Sequence, residues 1–99
     1  MQTVYPEEFE REMACTEGEW LRMLPASLGN LPFELDQGHA RVCVANGHLT
    51  LSWRRQPELR IALLKLPRLH VRFLFSSVSD EQRFAFMQRF DLYTHRGGG

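Results

Sequence analysis

Ala40-Arg41-Val42-Cys43-Val44-Ala45-Asn46-Gly47-His48-Leu49-Thr50-Leu51-Ser52-Trp53 is the stretch that decides the fold. Two apolar-alternating runs flank Asn46-Gly47, a dipeptide suited to a type I′ turn because both central residues of that turn need positive φ. Side chains of a strand alternate between its faces, so a hairpin here sorts them into two sets. Ala40, Val42, Val44, Leu49, Leu51 and Trp53 fall on one face. His39, Arg41, Cys43, His48, Thr50, Ser52 and Arg54 fall on the other.

Downstream, Leu59, Ile61 and Leu63 alternate with Arg60 and Ala62 as a fourth strand, after a connection through Arg54-Arg55-Gln56-Pro57. Leu66-Pro67-Arg68 then reads as a turn, because proline cannot sit in a central strand. Leu69 to Phe75 is the fifth strand. Pairing Leu63 with Leu69 sets Ile61 opposite Val71 and Leu59 opposite Phe73, with Arg60 opposite Arg72 and Ala62 opposite His70 on the other face. Upstream, Pro32-Phe33-Glu34-Leu35 is a short strand. Thr16-Glu17-Gly18-Glu19 is a capping box, and the helix it opens carries Trp20, Leu21, Leu24 and Leu28, with Pro25 ending or kinking it at Leu24. A second box, Ser79-Asp80-Glu81-Gln82, opens a helix with Phe84, Phe86, Met87 and Phe90 on its apolar face. Pro6-Glu7-Glu8, with Phe9 and Met13 four apart, reads as a short N-terminal helix or arm, and Met13 is an alternative start of translation.

The expected fold is α+β: a five-stranded antiparallel meander sheet with N-terminal and C-terminal helices packed on one face, that of Val42, Leu49, Ile61 and Val71. Residues 1–15 are the arm or short helix, 16–93 the single domain, and 94–99 a flexible glycine-rich tail.

Ninety-nine residues fit one core. No apolar run approaches the ~20 residues that span a membrane, and Met1-Gln2-Thr3-Val4 lacks the order of a secretory signal, so a cytoplasmic location is expected with no membrane partner. Cys15 and Cys43 are too few for a disulfide framework and read as reduced thiols. The net charge of zero hides a division: residues 1–36 carry a balance of −6 and residues 37–75 one of +6, with eleven arginines among the twelve cations. Either the acidic N-terminal arm neutralises the basic sheet, or that surface is reserved for an external anion.

The histidines and cysteines do not make a metal site on spacing: His39 and Cys43 share a face but lie ~13 Å apart along a strand, and neither CxxC nor HxxxH occurs. A Cys43 nucleophile needs a base beside it, and the predicted register offers no histidine there. With no GxSxG and no glycine-rich phosphate cradle, no enzyme, cofactor or metal is expected. The candidate site is the arginine-bearing face: Arg41, Arg54, Arg60 and Arg72 with His70, and His39, Thr50 and Ser52 between them. It suits an acidic protein or a nucleic-acid backbone, although base stacking lacks an aromatic on that face. Leu64, Leu66 and Leu74 on the solvent side suggest a contact surface such as a homodimer. The tail Arg96-Gly97-Gly98-Gly99 matches the end of ubiquitin-like modifiers and sulfur carriers over four residues only, and the strand order does not match theirs.

Phe86-Met87-Gln88-Arg89-Phe90-Asp91-Leu92-Tyr93 followed by Arg96-Gly97-Gly98-Gly99 resembles the end of a group of short uncharacterised proteobacterial proteins. The similarity extends back through Arg60-Ile61-Ala62-Leu63-Leu64 and Leu69 to Phe75. The resemblance implies a bacterial cytoplasmic setting and no activity. Three binding roles follow in order: a small non-enzymatic protein-interaction module with an unknown protein partner or a second copy; a nucleic-acid or polyanion binder; and a carrier acting through its C-terminal glycine.

Overall fold

The computed structural model describes the chain from residue 4 to residue 98, and its side chains as far as residue 94. Its elements are β1 (Glu8–Met13), α1 (Glu17–Leu28), β2 (Phe33–Asp36), β3 (His39–Val44), β4 (Gly47–Ile61), β5 (Leu64–Ser76) and α2 (Asp80–Gly98). The strands make one antiparallel sheet in the order β1-β5-β4-β3-β2. The α+β class, five strands and two helices on one face are as expected. Three parts of the arrangement differ.

The first is the turn. Val44 pairs with Gly47, so the two-residue loop is Ala45-Asn46, and Ala45 carries the positive φ of 52°. The register has moved by two residues from one centred on Asn46-Gly47. Because sidedness has a period of two, the sorting is unchanged. Ala40, Val42, Val44, Leu49, Leu51 and Trp53 are all buried, and the opposite set faces outward. Gly47 is needed for a different reason than turn geometry: a Cβ there would collide with the backbone carbonyls of Ser76 and Ser77, where β5 ends.

The second difference is that the predicted third and fourth strands are one strand. β4 runs from Gly47 through Arg54, Arg55 and Gln56 to Ile61, with a register shift between Gln56 and Leu59. The chain reverses at Ala62-Leu63, with Ala62 at φ 54°, and not at Leu66-Pro67-Arg68. Pro67 is accommodated inside β5 because it lies beyond the reach of β1 and faces the irregularity in β4. Trp53, not Ile61, therefore sits opposite Val71, and Leu51, not Leu59, opposite Phe73. Ile61 lies outside the core, at 53 % exposure.

The third difference supplies the missing strand. Glu8–Met13 is β1, an edge strand on β5, and not a short helix. Phe9 and Met13 do share a side, but at the period of two. Phe9 stacks on Phe73 at 4.7 Å, and Arg11 pairs with Asp91 of α2 while lying over the Phe9 and Phe73 rings. Burial works against that guanidinium, and the Asp91 carboxylate more than offsets it, so its pKa is raised.

Both capping boxes form. Thr16 and Glu19 bond each other's backbone amides, as do Ser79 and Gln82. α1 does not stop at Leu24: Pro25 lies on its exposed side, next to the exposed Leu21 whose carbonyl it leaves without a donor, while Leu24 and Leu28 are locked in the core. Trp20 packs edge-on against Trp53 and Phe90, and Phe90 against Phe73, which fixes both helices to the inner face. Thr94, placed by the sequence in the tail, is buried and donates to the Phe90 carbonyl, so it belongs to the domain. Of the expected tail, Gly99 lies outside the described residues, as do the surroundings of Arg96, Gly97 and Gly98.

Candidate functional site

The outer face of the sheet collects three of the four expected arginines. Arg41 on β3, Arg54 on β4 and Arg72 on β5 share it with His70, His39, Thr50 and Ser52. β1 adds a column of acid to the same face, because its register sets Glu8, Glu10 and Glu12 beside β5. Arg72 pairs with Glu8, His70 with Glu10, and Arg68 Nη1 reaches Glu12 Oε1 at 3.1 Å. At the far edge, Glu34 stands opposite Arg41. Across the five strands the face is thus striped acid, base, base, base, acid. Arg54 and Arg41 have no carboxylate partner among the described contacts.

Arg60 is not on this face, and it pairs with Lys65 instead of Arg72. The cause is a bulge in which Pro57 and Glu58 oppose Pro67, so β4 takes three steps from Gln56 to Leu59 while β5 takes two from Arg68 to Leu66. One extra residue exchanges the sides of everything beyond it. Leu59 and Ile61 arrive opposite Leu66 and Leu64, on the side of Arg68 and His70. Arg60 and Lys65 take the side that faces the helices.

A second register effect concerns Cys43. The two-residue shift at the turn sets His48 directly opposite this exposed thiol, where the sequence register had no histidine. The His48 ring nitrogen Nε2 faces Arg41 Nη2 at 3.4 Å, and no bond to the thiol occurs among the described contacts. Among the described residues, no three histidine, cysteine or carboxylate groups converge as a metal cage would require.

The bulge separates the sheet from an arm. β1 pairs no further than Leu69, and β3 no further than Ser52, so β4 and β5 continue as a two-stranded ribbon with no flanking strand among the described residues. The Leu59–Leu66 and Ile61–Leu64 pairs make one side of it apolar. Leu59, Ile61 and Leu64 are 42 to 61 % exposed, and Leu63 at the tip is 99 % exposed. Arg60, Lys65 and Arg68 stand along the arm with the single acid Glu58, and Glu12 of β1 reaches Arg68 at its base. Pro57 and Pro67 remove two N–H donors, which disfavours growth of the ribbon by strand addition and leaves its faces for contact. Leu64 and Leu66 belong to this surface, as expected; Leu74 lies apart from it, beside Glu8.

Beside the base of the arm is a cleft of about 620 Å³, between the start of α1 and the β2–β3 turn. Trp53 forms its floor and donates from Nε1 to Glu17 Oε2 at 2.9 Å. Leu21 and Leu35 supply exposed apolar walls, and Asp36 joins Glu17 as a second carboxylate; no lysine or arginine lines the cleft, and His39 Nε2 stands 3.7 Å from Asp36 Oδ2. Sequence reasoning missed this cleft because its parts come from three separate elements. It also missed Arg83, which replaces Phe84 on the buried side of α2. Arg83 donates to the carbonyls of Tyr5 and Val78 and pairs with Asp80.

No helix among the described residues is long and apolar enough to cross a membrane. Compared with protein-family models, with curated proteins and with solved structures, the chain matches none.

Proposed function

We propose that this chain is a non-enzymatic protein-interaction module of the bacterial cytoplasm, and that it works through the β4–β5 arm. The carrying observation is the uncovered apolar side of the arm, with Leu63 at its tip. Apolar surface held away from a core by a bulge, with prolines guarding its edges, is costly unless a partner buries it. The outer arginine face is a poorer candidate, because β1 already neutralises much of it. Nucleic-acid binding is the second reading, favoured by Arg60 and Lys65 side by side on a two-stranded ribbon, a shape that enters grooves.

A photo-crosslinking residue at position 63, with one at the exposed Glu81 as control, tests the proposal in the native cell. Protein adducts of defined mass at position 63 and none at 81 are expected. Adducts only to nucleic acid or lipid, or equal labelling at both positions, overturn it.

A further inference from the structure

The arm and the cleft at its base are complementary in two respects. The arm presents aliphatic side chains with a pair of cations one residue behind its tip: Ile61, Leu63 and Leu64, then Arg60 and Lys65. The cleft presents aliphatic walls with a pair of carboxylates: Leu21 and Leu35, then Glu17 and Asp36. Each has what the other lacks, and one chain carries both.

The arm cannot fill its own cleft. Trp53, which lines the cleft, lies in β4 only four residues before Pro57, where the arm begins, so folding the tip back would break the ribbon's own ladder. We infer that the occupant of each cleft is the arm tip of a second copy of this chain, in a reciprocal dimer. The inference rests on the arm being a protein-binding surface and names its partner. Residues 57–61 extend the ribbon by ~17 Å at ~3.3 Å per residue, enough for two antiparallel arms to bring each tip to the other's base. Reciprocity doubles the buried area, and a stable interface needs roughly 1,200 Å². It also closes the assembly: a one-way arm-in-cleft contact would continue into a filament, whereas the two-fold arrangement stops at two.

The test is sedimentation equilibrium of the full chain from micromolar to submillimolar concentration, with three variants: Arg60→Gln combined with Lys65→Gln, Asp36→Asn, and all three changes together. Asparagine at 36 keeps the side-chain oxygen that accepts from the Gln37 amide, so the turn is preserved. The wild type is expected to sediment as a dimer. The arm variant and the cleft variant should each weaken the dimer by roughly tenfold or more, the size of a lost close charge pair. The combined variant should be no weaker than the arm variant, since both act on one contact. Far-ultraviolet circular dichroism on each variant confirms that the fold is retained.

A wild type that stays monomeric overturns the inference, as does a dimer indifferent to all three variants, or a ladder of higher oligomers. Failure of the inference alone is distinct from failure of the broader reading, which shows as no protein adduct at position 63. A monomer whose position 63 still crosslinks to other proteins loses the second copy and keeps the interaction module.

Discussion

A methyl group at position 47 would meet the carbonyls of Ser76 and Ser77, which no side-chain rotation can move. Gly47→Ala should therefore lower stability by about 3 kcal/mol or more, while Ala45→Gly and Ala62→Gly, at φ 52° and 54°, should each raise it by about 1 kcal/mol or less. Urea unfolding measures all three, and a neutral Gly47→Ala would remove the close approach from the account. The two thiols differ as sharply. Burial, with Glu19 adding to it, pushes the Cys15 thiol up, and Cys43 is exposed. Iodoacetamide near neutral pH should modify Cys43 in the native protein and Cys15 only after unfolding, which peptide mapping reads directly. Glu19 supplies a pH dependence. Its bonds to the Thr16 backbone and side chain lower its pKa below the ordinary carboxylate value. A depressed folded pKa contributes stability above the unfolded value, and that contribution is lost as pH falls through the folded one. The difference in melting temperature between wild type and Glu19→Ala should thus be largest near neutral pH and shrink below pH ~4. A difference that grows in acid would contradict the capping role.

At the scale of elements, β1 is the piece most easily mistaken. Glu8, Glu10 and Glu12 alternate with Phe9, Arg11 and Met13, which is a strand pattern, yet Phe9 and Met13 alone also satisfy a helix. What decides is tertiary: Phe9 on Phe73, Arg11 on Asp91, and the Glu7 carbonyl taking the Phe75 amide at 2.7 Å. A chain starting at Met13 should lose more than ~10 °C of melting temperature or its cooperative transition, by calorimetry. Survival of the transition intact would make β1 an accessory. The inner and outer faces of β3 and β4 were legible because parity survives a shift of two. The destination of Arg60, Leu59 and Ile61 was not. Alternation was visible on both sides of Pro57, but a single bulged residue reverses it, and nothing local to that strand reveals where the extra residue is absorbed. The pairing of Cys43 with His48 was hidden for a related reason, since the turn residues alone do not fix which two form the loop. The cleft under Trp53 was beyond reach, because Glu17, Leu35 and Trp53 are joined only by the packing of α1 on the sheet.

For the whole molecule, charge is organised into stripes and not into a single basic patch. Removing the acidic column by changing Glu8, Glu10 and Glu12 to Gln should raise the salt needed to elute the protein from a polyanion resin, since Arg72, His70 and Arg68 would lose their partners. Unchanged elution would mean that those cations are not held by β1 in solution. The acids also guard the open edges of the sheet, with Glu34 and Asp36 on the short β2 serving the other side. The two indoles carry one more consequence. Trp20 is fully buried and its Nε1 has no hydrogen-bond partner among the described residues, whereas Trp53 donates its Nε1 proton to Glu17 in the cleft. The protein therefore carries two indoles packed edge-on at 5.5 Å, one sealed in the interior and one held by a carboxylate beside the cleft, and they act as a single coupled fluorophore. Loss of the Trp20–Trp53 contact on unfolding and entry of a group beside Trp53 therefore both register in that one emission, with no dye attached.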